Sequence, residues 1–163
     1  MAANKVDIRP GVSVLAVLRH LNYKPWYALA EFVDNAVESF SRHREALRAH
    51  HGDDFKLVVS IDIDTATPAR ISIRDNAAGI AIADFSRAFR PAAIPPDRSG
   101  LAEFGMGMKS AACWFAPQWS VRTSAFGETV ARTVRFEIAN IVNDEIEELD
   151  IHEEPEEADH HYT

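Results

Sequence analysis

The chain has 163 residues, 47% of them hydrophobic and 26% charged, which suits one soluble globular domain with a real core and hardly two. Its net charge of −8 is uneven: residues 144–163 hold ten Asp/Glu and no Lys/Arg, leaving 17 basic against 15 acidic side chains in residues 1–143. A body so close to neutral argues against a basic stripe that grips nucleic acid, and no apolar run approaches the ~18–20 residues needed to cross a bilayer.

The polar start, Met1 to Gly11, lacks the apolar stretch of a signal peptide. Ser13 to Asn22 reads as a short helix with Ser13 as N-cap and Val14, Leu15, Val17, Leu18 and Leu21 as its apolar set. Pro25 opens a longer helix to about Ala49, since proline suits a first turn where its missing N–H costs nothing. After the turn Gly52-Asp53-Asp54, Lys56 to Asp64 alternates as a strand, with Leu57, Val59, Ile61 and Ile63 on one face. Ala69 to Arg74 is a second strand, broken by Asp75 to Gly79. Residues 84–104, with Pro91, Pro95, Pro96 and Gly100, read as a long irregular loop of the kind that is usually functional or disordered. Met108 to Phe115 is helical and stops at Pro117; its Cys113 reads as a small buried hydrophobe. Trp119 to Ala125 and Thr129 to Ile138 form a hairpin about Gly127, and Ile146, Leu149 and Ile151 allow an edge strand in the acidic tail. Helices, strands, loop, helix, strands in that order favour an α+β fold, a sheet with helices packed on one face.

Three short constellations carry chemistry. In Ala28 to Phe40, Glu31, Asn35 and Glu38 fall on the face opposite Leu29, Phe32, Val33, Ala36, Val37 and Phe40. Glu31 and Asn35, four residues apart, are neighbours suited to orienting a water and holding a hydrated Mg²⁺; an acidic face of this kind also serves simply as a solvated surface. The strand ending Ile73-Arg74-Asp75 leads into Asn76-Ala77-Ala78-Gly79-Ile80, where Asp75 is placed to accept hydrogen bonds from a bound amino group or to make an ordinary turn. Gly105-Met106-Gly107-Met108-Lys109-Ser110 offers free backbone N–H groups at a helix start, which attract phosphate, or a glycine turn packed for shape. It matches neither a Walker A loop, because Met108 separates Gly107 from Lys109, nor a dinucleotide fingerprint, because Ser110 stands in place of the third Gly.

Together these three segments resemble the split ATP site of the gyrase/heat-shock chaperone/histidine kinase/MutL (GHKL) ATPases. Glu31-x-x-x-Asn35-Ala36 is similar to their N box, Asp75-x-Ala77-x-Gly79 to their first glycine box, and Gly105-x-Gly107 with Lys109-Ser110 to their second. The wording is closest to the microrchidia (MORC)-like and prokaryotic Hsp90-like branch, and the resemblance spans about Pro25 to Thr123. It implies a Bergerat-type α/β sandwich with a mixed sheet, and a single ATP-binding domain over residues 1–163 with an ATP lid at about 84–104. It implies Glu31 as general base and Asn35 as the Mg²⁺ ligand. Asp75 would accept the adenine amino group, with Gly79 and Ile80 at the base. Gly105, Met106, Gly107, Met108, Lys109 and Ser110 would hold the phosphates, and Lys109 would also stabilise developing charge. Thr123 is the candidate for the Thr of a later strand that helps bind the base. Ala77 stands where the family usually has Gly; a left-handed backbone there would strain it by about 1–2 kcal/mol. His161-Tyr162-Thr163 reads as the start of a strand, so a longer protein is expected.

The activity so implied is binding of Mg-ATP and its hydrolysis to drive a conformational or dimerisation switch in a cytoplasmic protein, with a homodimer and a further protein partner expected. The alternatives are a non-hydrolysing sensor or scaffold, and a histidine-kinase-like phosphotransferase, for which His20 is the one upstream histidine. The pairs His50-His51 and His160-His161 lack a third ligand at zinc-like spacing.

Overall fold

The computed structural model describes residues 11–91 and 106–163. The first helix, α1 (Val14–Leu18), is shorter than its apolar pattern suggests. Ser13 makes no side-chain cap; the chain enters through tight turns, Val14 N–H to Gly11 O at 3.2 Å and Leu15 N–H to Val12 O at 3.0 Å, and leaves through His20 N–H to Val17 O at 3.0 Å. Leu15 and Leu18 are nonetheless buried, so the apolar spacing marked the correct face.

Helix α2 (Pro25–His51) runs two residues past its expected end. Pro25 occupies its first turn after an extended Lys24, and Gly52, at φ 104°, closes it with its N–H on Arg48 O. Strands β1 (Val59–Asp64) and β2 (Arg70–Asp75) pair antiparallel from Val59↔Asp75 to Asp64↔Arg70. Strand β1 begins three residues later than the alternation suggests, because Asn76 folds back there: its side chain accepts Val58 N–H at 2.7 Å and donates to Lys56 O at 3.1 Å.

The segment expected to be irregular from residue 84 is partly ordered. Ile82–Asp84 forms a 3₁₀ turn, and Phe85–Phe89 forms α3, whose Phe85 and Phe89 rings meet edge to face at 5.1 Å. The aromatic pair at helical spacing is the signal outweighed by the prolines that follow. The rest of the expected lid, residues 92–104, lies outside the described residues.

Helix α4 (Gly107–Phe115) packs against α2 and α1. Strands β3 (Gln118–Ser124) and β4 (Val130–Glu137) form the expected hairpin, turning at Gly127 with φ 81°. Strand β4 stops one residue short of its expected end at Ile138, which instead opens a short helix, α5 (Ile138–Asn143), that buries Ile138 and Ile141. Apolar residues three apart, a helical period, compete there with the strand pattern. Strand β5 (Ile151–Pro155) is the acidic edge strand, antiparallel to β4. Glutamates on it face arginines: Arg132 Nε lies 2.8 Å from Glu153, and Arg122 lies 3.2 Å from Glu154.

The molecule is α+β. The expected single mixed sheet is divided among the described residues into two antiparallel sheets, β1-β2 and β3-β4-β5. The last two residues join them: Tyr162 and Ser124 exchange backbone bonds at 3.0 and 3.1 Å, and Asp75 N–H donates to Thr163 O at 2.9 Å. The core gathers Leu15, Leu18, Phe85, Cys113, Phe136 and Ile141, with Trp119 stacked on Phe136 at 3.8 Å. Leu-sized side chains there each contribute about 1.5–3 kcal/mol by burial. Across from this core, α2 and the two sheets leave an open cleft.

Candidate functional site

The cleft encloses about 1830 Å³, and its walls include Glu31, Asn35, Asp75, Gly79, Ile80, Met106, Gly107, Met108 and Lys109. Residues from four separate elements thus meet in one place. The polar stripe of α2 faces the cleft: Glu31, Asn35 and Glu38 line it together with Phe32 and Ser39, while Val37, assigned to the apolar face, is 38% exposed. The volume exceeds the roughly 300–1,000 Å³ of a typical small-molecule site, because the cleft also runs along the β1-β2 hairpin, whose Ile63 and Ile71 remain open to it.

At one end, the loop after β2 is fixed by hydrogen bonds. Asp75 Oδ1 accepts Ala77 N–H at 2.9 Å, and burial raises the carboxyl to a pKa of about 6 despite that bond. Ala77 is fully buried, and Glu145 is the single non-glycine residue with positive φ among the described residues. Ala77 therefore avoids the left-handed strain foreseen for it. Gly79 does need to be glycine. Its φ is +67°, and a Cβ there would lie 2.0 Å from the Ser124 carbonyl oxygen. The backbone it approaches most closely is β3, so packing alone accounts for this glycine. Ile80 N–H donates to Thr123 Oγ1 at 2.8 Å, and Phe126 N–H donates to Ala78 O at 2.9 Å.

Thr123 is 1% exposed and does not line the cleft. Its hydroxyl is taken by Ile80, by Tyr162 O at 2.8 Å and by Thr163 Oγ1 at 3.0 Å. Its hydroxyl thus ties the loop after β2 to the C-terminal segment. Thr163, which does line the cleft, was missed in the sequence because nothing local marks it; only the closure of the C-terminal segment onto Asp75 and Thr123 places it there.

At the other end, the Glu31 carboxylate lies against Gly107, the first residue of α4. Burial first, and then the charge of Asp34, raise its pKa. A carboxyl raised in this way is a better proton acceptor than an exposed one. Tyr23 stands beside it; burial and the Glu31 charge push its phenol up, against a hydrogen bond with Ser110. Ser110 itself is buried behind the cleft wall, with its N–H on Met106 O at 2.8 Å, so it supports Tyr23 instead of facing a ligand.

Lys109 lines the cleft but is only 3% exposed. Its ammonium donates to Ala88 O at 2.7 Å and reaches Arg87 O at 3.5 Å, at the carboxyl end of α3. Burial and the nearby Arg87 lower its pKa to about 8. To meet a phosphate it would have to leave these carbonyls. Gly105 lies outside the described residues.

Asn35 offers a carboxamide oxygen beside Glu31 and Glu38 on the cleft wall. Mg²⁺ takes few protein ligands and keeps water and substrate phosphate oxygens, so this sparse oxygen set fits it. The two histidine pairs of the sequence meet in the fold: His51 Nε2 lies 2.6 Å from His161 Nε2, His161 Nδ1 donates to Ala77 O at 2.5 Å, and His50 Nε2 is 3.0 Å from Asp159. Among the described residues, no group of three His, Cys, Asp or Glu is arranged to hold a metal. His20 is exposed just beyond α1, and no described helix is long and apolar enough to cross a membrane.

No curated protein is significantly similar to the chain. A family model does match, over residues 23–163, and it covers α2, both sheets, the loop after Asp75 and the start of α4, the elements that build the cleft. This chain belongs to the histidine kinase-, DNA gyrase B- and HSP90-like ATPase family.

Proposed function

We propose that the domain binds Mg-ATP across this cleft, hydrolyses it, and uses the cycle to switch conformation or self-association. One observation carries the reading: a half-buried carboxyl at a strand end, a carboxylate–carboxamide pair on α2 and the amino end of α4 face the same cleft. Asp75, ionised, accepts the adenine amino group, in a loop whose Ala77 and Ile80 N–H groups are already bonded to protein. The first-turn N–H groups of α4 and its dipole attract the phosphates. Asn35 holds Mg²⁺, which neutralises phosphate charge when bound. Glu31 accepts a proton from the attacking water, which adds to the terminal phosphorus as the bond to the bridging oxygen breaks, giving ADP and phosphate.

A second reading is favoured by the position of Lys109. With its ammonium engaged on α3, the cleft has one less positive charge for phosphate, and the domain would sense nucleotide without hydrolysing it. Calorimetry with ATP, with and without Mg²⁺, followed by phosphate-release assays, separates the two. Mg²⁺-dependent binding with turnover that is lost in Glu31→Gln supports hydrolysis. Binding without turnover supports the sensor. No binding by the folded protein defeats both.

A further inference from the structure

Gly107 has no conformational reason to be glycine. It is a helical residue at the start of α4, with no positive φ, at a position where alanine would ordinarily stabilise the helix. What a side chain would meet there is Glu31. A Cβ at residue 107 would lie 2.1 Å from Glu31 Oε2 and 3.0 Å from its Cδ. These are the nearest contacts, and both belong to one carboxylate. Gly79 presents the opposite case, where the obstruction is backbone.

We propose that Gly107 is a positioning residue for Glu31: the absence of its side chain is the seat in which the carboxylate rests, at the amino end of α4. The proposal builds on the reading of Glu31 as the proton acceptor and assigns to this glycine a task other than close approach to phosphate. Both helices that form the seat are packed against each other. Glu31 lies in the second turn of α2, α2 packs along α4, and the residues after Gly107 (Met108 aside) are buried from Lys109 to Cys113. Tyr23, held by Ser110 and close enough to feel the Glu31 charge, stands on the same wall of the cleft. The obstruction is the far end of a flexible side chain, so the fold tolerates a methyl group at residue 107 by letting Glu31 swing away. The cost falls on the carboxylate's position and not on folding.

The test is Gly107→Ala in the full chain, alone and combined with Glu31→Asp, whose carboxylate is one methylene shorter. Gly107→Ala is expected to remain folded, to bind a non-hydrolysable ATP analogue within about threefold of wild type, and to lose roughly 10–100-fold in turnover. The penalty of Glu31→Asp should shrink in the Gly107→Ala background, because the shorter side chain clears the new methyl. Carboxyl NMR of Glu31 supplies a readout independent of turnover: its resonance and titration should move in Gly107→Ala. An unmoved Glu31 titration overturns the proposal, as does analogue binding that collapses while turnover per bound ATP is kept, since that outcome marks a phosphate contact. If the wild type binds ATP without turnover, or fails to bind it, the functional reading fails while the NMR titration still decides the seat.

Discussion

The two ends of the cleft are built by opposite means. At the Asp75 end the polar groups are satisfied within the protein: Ala77 N–H on Asp75, Ile80 N–H on Thr123, Asp75 N–H on Thr163. At the Glu31 end, burial and Asp34 set the carboxylate's pKa, with no hydrogen bond among the causes, and Lys109 is drawn away to α3. Asp75 thus sits in a bonded loop, whereas the ammonium nearest the Glu31 end is itself tied to carbonyls. Under the proposed function the first end would read the base with fixed groups, and the second would engage phosphate fully only once Lys109 leaves those carbonyls.

The largest expected effect sharpens this comparison at the Glu31 end. Glu31→Gln should lower ATP turnover by about 10²–10⁴-fold while leaving ATP affinity nearly unchanged, checked by phosphate release beside calorimetry. Equal turnover would remove Glu31 as the proton acceptor. Asp75→Ala should act at the other end and on binding: losing a hydrogen bond to a charged group, about 1.5–3 kcal/mol, weakens ATP by roughly 10–150-fold in calorimetry.

Glycine substitution separates packing from chemistry. Gly79→Ala meets both a left-handed backbone and the Ser124 carbonyl at 2.0 Å, whereas Gly127→Ala, at φ +81°, has nothing within 4 Å. The first should destabilise by more than the second's cost of about 1–2 kcal/mol, read from denaturant unfolding. Comparable losses would deny the close packing of the loop on β3.

Acid should act on the Asp75 end in two ways. The Asp75 carboxyl titrates at about 6, raised from 3.8 by burial. Its contribution to folding stability is fully present below pH 3.8 and is lost as pH rises through about 6. Its use as an acceptor runs the other way, so ATP affinity should fall as pH drops below about 6, and Asp75→Asn should flatten that fall. The smallest effect concerns the tether behind the loop. Burial first, then His161 and His50, lower the His51 pKa against the pull of Asp159. A lowered histidine stabilises the fold above its unfolded pKa and loses that contribution as pH falls through the folded value. The 2.6 Å contact with His161 should therefore weaken in acid, and His51→Gln should reduce the acid slope of the unfolding midpoint.

The sequence by itself determined the elements with strong local signals. Pro25 and the apolar spacing fixed α2, alternation found β1, β2 and the β3-β4 hairpin, and motif order placed Glu31, Asn35, Asp75 and the start of α4 in one site. Local chemistry was enough because each of these depends on residues a turn or a strand apart. Tertiary structure decided what depends on distant residues. Phe85 and Phe89 order the start of the expected loop by packing on the core. Ile138 and Ile141 form a short helix directly after β4 and bury against the core. Val37, assigned to the apolar face of α2, is left 38% exposed. Thr123 and Ser110 withdraw behind the wall, Thr163 enters it, and Lys109 is committed to carbonyls some twenty residues away. A buried hydroxyl or ammonium must find its partner wherever the fold supplies one, and the reason Gly107 is glycine lies not in its own helix but in a carboxylate on another.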